Sequence, residues 1–338
     1  MPPAPNSGGR AEGRLAVVGA INWDVSIFEQ RFARPGEEVP VRLVEEYSGG
    51  KGANVAVAAA RILGPGRVSL VGALGDDEVS GTQVVLLRNE GVETRGIVVL
   101  KGRRSGRAYI IVDGQGRKTI HTHFGANAEL DPSHLGATGV RAALSGNDLV
   151  VVMDAPVKVA NEVARIASQE GAKVLYSPGV RAAEGLRSIS TVAAKAQFII
   201  LDSNELRNLC RTNDVALALR VLRKKFPDLT IVATLGQAGC VIAKGGVTTR
   251  IEGVSLARLG LRAVNSTGSG DAFLGVFSSY ILRGAPTTEA VAWANLAGAL
   301  KATRFETRGS PTRKELESGM ARLGITRRQL GWQAKKAS

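Results

Sequence analysis

Cysteine, histidine and aromatic side chains are all scarce in this chain. Cys210 and Cys240 are the two cysteines among 338 residues, too few and too isolated for a disulfide framework or a zinc knuckle. A reducing, cytoplasmic setting fits that usage. His121 and His123 alternate in TIHTHFG and share a face of an extended strand, but without a nearby third ligand the pair packs or contacts a neighbour, and no metal is assigned to it. Aromatic residues reach 4%, fewer than an all-β sandwich usually carries, and they are scattered. They do not interleave with basic residues into the stripe that nucleic acid would need, so no nucleic-acid partner is expected. No apolar run reaches about eighteen residues without a charge, so no membrane span is expected either.

What is present points to one large α/β domain, alone or with a lid, amply long to bury a core. Hydrophobic residues make up 44% of the chain, with Ala, Val, Leu and Gly prominent, a mixture that suits buried parallel strands flanked by Ala-rich helices. The formal net charge of +14 favours anionic partners. Part of the excess lies at Arg327, Arg328, Lys335 and Lys336, in a stretch from 321 to 338 that reads as a solvated basic tail. The opening MPPAPNSGGRAEGR is rich in Pro, Gly and Ser without an apolar segment, so residues 1–14 read as a disordered leader and not a signal peptide.

RLAVVGAIN is an apolar run closed by glycine, the pattern of a buried first strand, and GANVAVAAARILG has Ala and Val at helical spacing. Five more short apolar runs, at 68–75, 148–156, 172–179, 196–205 and 229–236, each end in a polar or Gly/Pro loop. Strands alternating with helical stretches predict a parallel sheet with helices on both faces. The segments 37–48 and 96–124 instead alternate apolar and polar residues, and the second holds the Asp-Gly turn of VDGQGRK; they predict a small accessory sheet, a lid. Ligands of such folds sit at the carboxyl ends of the parallel strands.

Three stretches carry the chemistry. In NSTGSGDAFLG, the backbone N–H groups of Gly268, Ser269 and Gly270 can approach a ligand, and the helix that begins there turns its positive end to the same spot. That is an anion hole suited to a phosphate or to a phosphoryl group in transfer. Asp271 in the same turn could accept the proton of an attacking hydroxyl; the plain alternative is an N-terminal acid favouring the helix dipole. SGGKGANVAVAAARILG again places glycines before a helix, with Gly50, Lys51 and Asn54 at hand for a polyhydroxylated ligand. In VVGAINWD, Asn22 and Asp24 would face one way and could grip adjacent sugar hydroxyls. For each of these stretches the alternative is a hydrogen bond that steadies a loop.

Together the three stretches resemble the ribokinase family of sugar kinases, also called the phosphofructokinase B family. NSTGSGDAFLG resembles its C-terminal signature and SGGKGANVAVAAARILG its N-terminal one, and GALGDD, FGANAELDP, SNE, TLGQAG and WANLAGALKATRFETRGSP are further matches, in the family's order from about Leu15 to about Glu317. The resemblance implies a three-layer α/β/α core over 15–320 with a mostly parallel sheet and a small β-sheet lid. It implies ATP as donor with Mg²⁺ bridging the phosphates, Asp271 as base, and Asn22, Asp24, Gly50, Lys51 and Asn54 as sugar-binding positions. Asp154 is a further hydroxyl contact on the same grounds, Asn204, Thr234 and Gly236 resemble the phosphate and ribose end of the nucleotide site, and Asn295 lies where the family lines the adenine pocket. Lids of this family often pair between subunits, which implies a homodimer.

Two positions depart from the pattern. Where the family often has Asn-x-x-Glu to organise Mg²⁺, the fourth residue is Arg207, so that either Glu205 substitutes or the metal is held mainly by nucleotide and water. Where its signature commonly begins with an Asp that helps bind a monovalent cation, Asn265 stands, which puts potassium activation in doubt. The acceptor stays open among a free sugar, a phosphosugar and a nucleoside. GGKGAN and GANA favour an uncharged sugar, whereas Arg107, beside Arg103 and Arg104, resembles the arginine by which phosphosugar-using members hold a phosphate. Two non-enzymatic rivals are a basic anion binder and a sugar-binding regulator on the same scaffold; a regulator would not need Asp271.

Overall fold

The computed structural model describes residues 13–325. In chain order these residues form β1 (Leu15–Gly19), β2 (Asn22–Glu29), β3 (Val41–Gly49), α1 (Lys51–Leu63), β4 (Val68–Gly75), α2 (Glu78–Asn89), β5 (Val92–Leu100), β6 (Gly106–Val112), β7 (Lys118–His123), α3 (Ala126–Glu129) and α4 (Thr138–Leu144). The chain continues through β8 (Leu149–Met153), α5 (Val157–Gln169), β9 (Lys173–Ser177), α6 (Leu186–Ala193), β10 (Phe198–Asp202), α7 (Ser203–Cys210), α8 (Val215–Lys225) and β11 (Thr230–Thr234). It closes with β12 (Cys240–Lys244), β13 (Val247–Ile251), α9 (Ser269–Leu282), α10 (Thr287–Lys301) and α11 (Arg313–Arg322).

Among the described residues the large sheet has the order β13-β12-β11-β10-β9-β8-β1-β4-β5, parallel from β11 to β5 and antiparallel at β12 and β13. Each central strand is divided by the two-residue period of the pleat. Leu15, Val17, Leu149 and Val151 pack into a core with α1, α9, α10 and α11, while Ala16, Val18, Val150 and Val152 pack into a second core with α4 to α8. Continuous apolar runs were therefore the right signature, because both faces of these strands are covered.

The lid departs from the expected boundaries. Its sheet runs β3-β2-β6-β7, so the stretch from 96 to 100 belongs to β5, which pairs in parallel with β4 in the core. In exchange the lid takes β2, which the sequence joins to the first strand. The break falls at Ala20 and Ile21, where the chain leaves the large sheet; Asn22 and Asp24 thus begin a lid strand and do not end a core strand. The hairpin of β12 and β13 around Gly245 and Gly246 was also unforeseen, although its Gly-Gly turn between alternating runs was legible. The expected leader falls on residues that lie, but for Gly13 and Arg14, outside the described part, as do the tail's Arg327, Arg328, Lys335 and Lys336. The domain itself passes residue 320, since α11 ends at Arg322 and Leu323 is buried.

The strand order reverses at β1, with β4 and β5 on one side and β8 to β11 on the other. Such a reversal opens a crevice at the carboxyl ends of the adjoining strands. Helices α1 and α9 cross closely beside it, where a Cβ on Gly275 would stand 2.5 Å from the Cβ of Ala58. The two glycine-rich turns are thereby brought side by side.

Candidate active site

A cavity of about 300 Å³ fills the crevice beneath the lid. Asn22 and Asp24 enter from β2, Gly50, Lys51 and Asn54 from the start of α1, Asp154 from the end of β8, and Gly268, Gly270 and Asp271 from the turn into α9. Ala108 and Ile110 of β6, Ile120 of β7 and Phe124 form its apolar roof.

The turn before α1 depends on glycine. Gly50 has φ +91° and a Cβ there would lie 2.4 Å from the backbone nitrogen of Asn22, so no side chain fits between the turn and β2. Asn54, one turn into α1, donates from Nδ2 to Oδ2 of Asp271 at 2.8 Å. An amide expected to hold sugar thus orients the carboxylate expected to act as base. Burial raises the pKa of Asp271 above the ordinary carboxylate value, opposed by the Asn54 hydrogen bond and by Lys51. Lys51 Nζ lies 3.6 Å from Asp154 Oδ2. Burial alone would lower its pKa, but Asp154, Glu205, Asp271 and Asp202 outweigh that and hold the ammonium charged.

Asp154 is a non-glycine residue at φ +56°, a strained conformation that surrounding structure must impose. Its Oδ1 accepts from the Val180 N–H at 3.1 Å, and a Cβ on Gly179 would meet that carboxylate at 2.7 Å. Asp24 is 4% exposed, and Thr307 Oγ1 donates to its Oδ2 at 2.7 Å. Burial pushes its pKa up to about 6 against the lowering effects of Thr307 and Arg308. Asn22 Oδ1 accepts from Asn127 Nδ2, which also donates to the Ile21 carbonyl. Arg308, 7% exposed, donates to Gly49 O and to Asn54 Oδ1.

A second cavity of about 620 Å³ adjoins the first. Gly236 and Asn295 line it with Gly239, Gly253, Val254 and Ala299, a smooth slot suited to a flat base. Thr234, Ser266, Gly270 and Phe273 line both cavities. At this junction Gly268, with φ +84°, turns the chain into α9; the Ser269 hydroxyl oxygen is buried without a hydrogen-bond partner, and a Cβ on Gly270 would meet nothing within 4 Å. Open space and an unpartnered donor at a helix N-terminus fit a phosphate.

Two expected residues are placed elsewhere. Asn204 lines neither cavity; its N–H, with that of Glu205, caps α7 on Asp202 Oδ1 at 2.8 Å. Arg107 is ion-paired with Glu78 and does not reach the cavity. Register explains it: Asn22 and Asp24 of β2 stand opposite Gly106 and Ala108, so Arg107, opposite Trp23, projects from the other face of the lid. Arg103 pairs with Glu129. Conversely, Thr307, Arg308, Asn127 and Asp202 went unforeseen as site residues. Thr307 and Arg308 stand in the quoted stretch WANLAGALKATRFETRGSP, but nothing local to it indicates contact with Asp24.

Residues 13–314 match the family described as pfkB family carbohydrate kinase. The chain is 29% identical over 310 residues to the ribokinase of Haemophilus influenzae, covering 89% of this chain and 96% of that one. It is 26% identical over 299 residues to an ATP-dependent ribose-1-phosphate kinase of Halopiger xanaduensis, covering 88% of this chain and 95% of the relative. Among solved structures, Arabidopsis thaliana ribokinase complexed with ribose and ATP superposes with a TM-score of 0.78 at 21% identity, over 90% of this chain and 98% of that one, a likeness of fold.

Proposed function

Because the chain belongs to the pfkB family of carbohydrate kinases, which move a phosphoryl group to a sugar hydroxyl, we propose that it uses ATP to phosphorylate an uncharged sugar of the ribose type, with Asp271 as the base. One observation carries this reading: the cavity under the lid and the slot beside it meet at the turn into α9, where Gly270 lines both. An acceptor in the first cavity and a nucleotide in the second would bring hydroxyl and terminal phosphate together there. The Asp271 carboxylate would take the hydroxyl proton while the amides of 268–270 and the helix dipole meet the charge of the phosphoryl group. Asn22 and Asp24 would grip adjacent sugar hydroxyls. Lys118 on β7 donates to Thr267 at 2.6 Å, so the lid already touches the loop ahead of α9, which supports exclusion of water during transfer.

Mg²⁺, when bound, would supply charge neutralisation on the phosphates. Asp202 and Glu205 would hold it or its waters. Burial and the neighbouring Asp202 push Glu205 up to about 7, partly offset by Lys51, the mark of a carboxylate pair short of positive charge. Arg207 is exposed and takes no part.

The uncharged acceptor is favoured over a phosphosugar because Lys51 is the one basic residue among those lining the cavity and it already faces Asp154. Release of ADP should therefore be fast with ribose and slow with ribose 1-phosphate or fructose 6-phosphate. Arg107→Ala should leave kcat/KM for the best acceptor within about twofold, because Arg107 pairs with Glu78 and, opposite Trp23, projects from the other face of the lid. A best rate with a phosphosugar, abolished by Arg107→Ala, would reverse the assignment. A best rate with a nucleoside would place a base under the apolar roof, and silence with every acceptor would favour the regulator.

Asp24 should show a trade of stability for function. Its folded-state pKa of about 6 lies above the ordinary 3.8, so folding favours the neutral form. The stability present below pH 3.8 is lost as the pH rises through 6. Asp24→Asn should then raise stability by about 3 kcal/mol at pH 7 to 8 but not at pH 4, while raising the acceptor KM. Parallel melting curves at the two pH values check the first part, and equal shifts at both would contradict it.

A further inference from the structure

Lys301, the last residue of α10, is fully buried. A buried lysine is rare unless paired, because the ammonium leaves water at high cost. Here two main-chain oxygens receive it: Nζ donates to the carbonyl of Asn265 at 2.9 Å and to that of Arg304 at 3.3 Å. Carbonyl oxygens are also what a bound alkali cation uses. The ammonium lies directly under the turn into α9, since a Cβ on Gly268 would stand 3.4 Å from Lys301 Cε.

The residues present do not fit a monovalent cation at this place. Asn265 is neutral, and both ends of its side chain are engaged, Nδ2 with the Phe305 carbonyl at 2.8 Å and Oδ1 with the Thr267 N–H at 2.9 Å. Its carbonyl is taken by Lys301. The N–H groups of Val264 and Asn265 both reach the Ala302 carbonyl, so the loop before α9 is stitched to the end of α10 without any ion. Burial, with Lys118 and Arg304, lowers the Lys301 pKa to about 8, against Asp271 and Glu306, which raise it. The group is therefore an ammonium at neutral pH.

We propose that the Lys301 ammonium is a built-in substitute for a bound monovalent cation, fixing residues 265–268 and lending positive charge beneath the anion hole, so that turnover is independent of potassium. Lys301 acts through the loop and touches neither substrate; it is a positioning residue. The inference rests on the phosphoryl-transfer reading above, and its test separates the two.

Melting of the protein without substrates is compared in potassium chloride and choline chloride at equal ionic strength, and ADP release is compared in the same salts. Wild type should show no potassium-specific shift in Tm and less than twofold change in kcat. Lys301→Met, neutral and of similar length, should lose about tenfold or more in kcat, in the manner of a weakened oxyanion site, with the sugar KM held within about twofold. Lys301→Ala should gain a potassium-specific rise in Tm and recover part of its kcat in potassium or ammonium chloride. Tenfold stimulation of wild type by potassium, or a potassium-specific Tm shift in wild type, would overturn the proposal even if the variants do not fold. So would unchanged kcat in Lys301→Met. Absence of turnover with every acceptor would instead strike the kinase reading, and the Tm comparison would still decide the role of Lys301.

Discussion

Asp271→Asn should lower kcat by about 10² to 10⁴-fold, the range expected when a positioned general base is removed, while the affinity for ATP changes by less than about twofold. The asparagine is isosteric and sits where Asp271 accepts from Asn54, so the turn and the helix N-terminus that would receive the phosphates should keep their shape. It cannot take a proton. Because burial disfavours the charged carboxylate, the variant should also melt higher than wild type at neutral pH, which rules out unfolding as the cause of lost turnover. Single-turnover kinetics with calorimetric titration of ATP would check both halves. Turnover near that of wild type would end the assignment of Asp271 as base.

The second large effect should appear in a pair of neighbouring glycines. Gly268 has φ +84° and a Cβ there would lie 2.0 Å from the Thr307 carbonyl oxygen. Alanine at that position must both enter the left-handed region, at about 1–2 kcal/mol, and push away the segment that presents Thr307 to Asp24. Gly268→Ala should therefore lose Tm and kcat together. Gly270 lies inside α9 and a Cβ there meets nothing within 4 Å. Gly270→Ala should keep or slightly raise Tm, since alanine is the better helix former by roughly 0.5–1 kcal/mol. Its methyl group would occupy the junction of the two cavities, so turnover should still fall at least tenfold through obstruction of the phosphate. If both variants lost stability equally, the empty space at Gly270 would be packing and not a phosphate seat.

Much of the site was legible because its determinants are local. Glycines before an Ala-rich helix and glycines around an acid before an apolar helix each specify a turn, a helix N-terminus and an aimed functional group within a dozen residues. The continuous apolar runs likewise identified the parallel strands, whose two faces meet separate cores. The lid was harder. Val98 and Leu100 in β5 alternate in the same manner as a lid strand, yet they pack partly buried against the core, because an edge strand of the large sheet is half covered too.

By itself, then, the sequence determined the α/β class, the glycine turns at 48–52 and 268–270, and the base candidate Asp271. Only tertiary structure decided which groups act on one another. Asp24 meets Thr307 across 283 positions and Asn54 meets Asp271 across 217, contacts for which no local pattern exists because they form when the ends of distant elements converge on the reversal of strand order at β1. The same holds for Arg107, whose side of the lid follows from a register of period two that a shift of one residue would invert. It holds also for Lys301, which reads as an ordinary helix-terminal lysine until packing buries its ammonium against the carbonyls of Asn265 and Arg304.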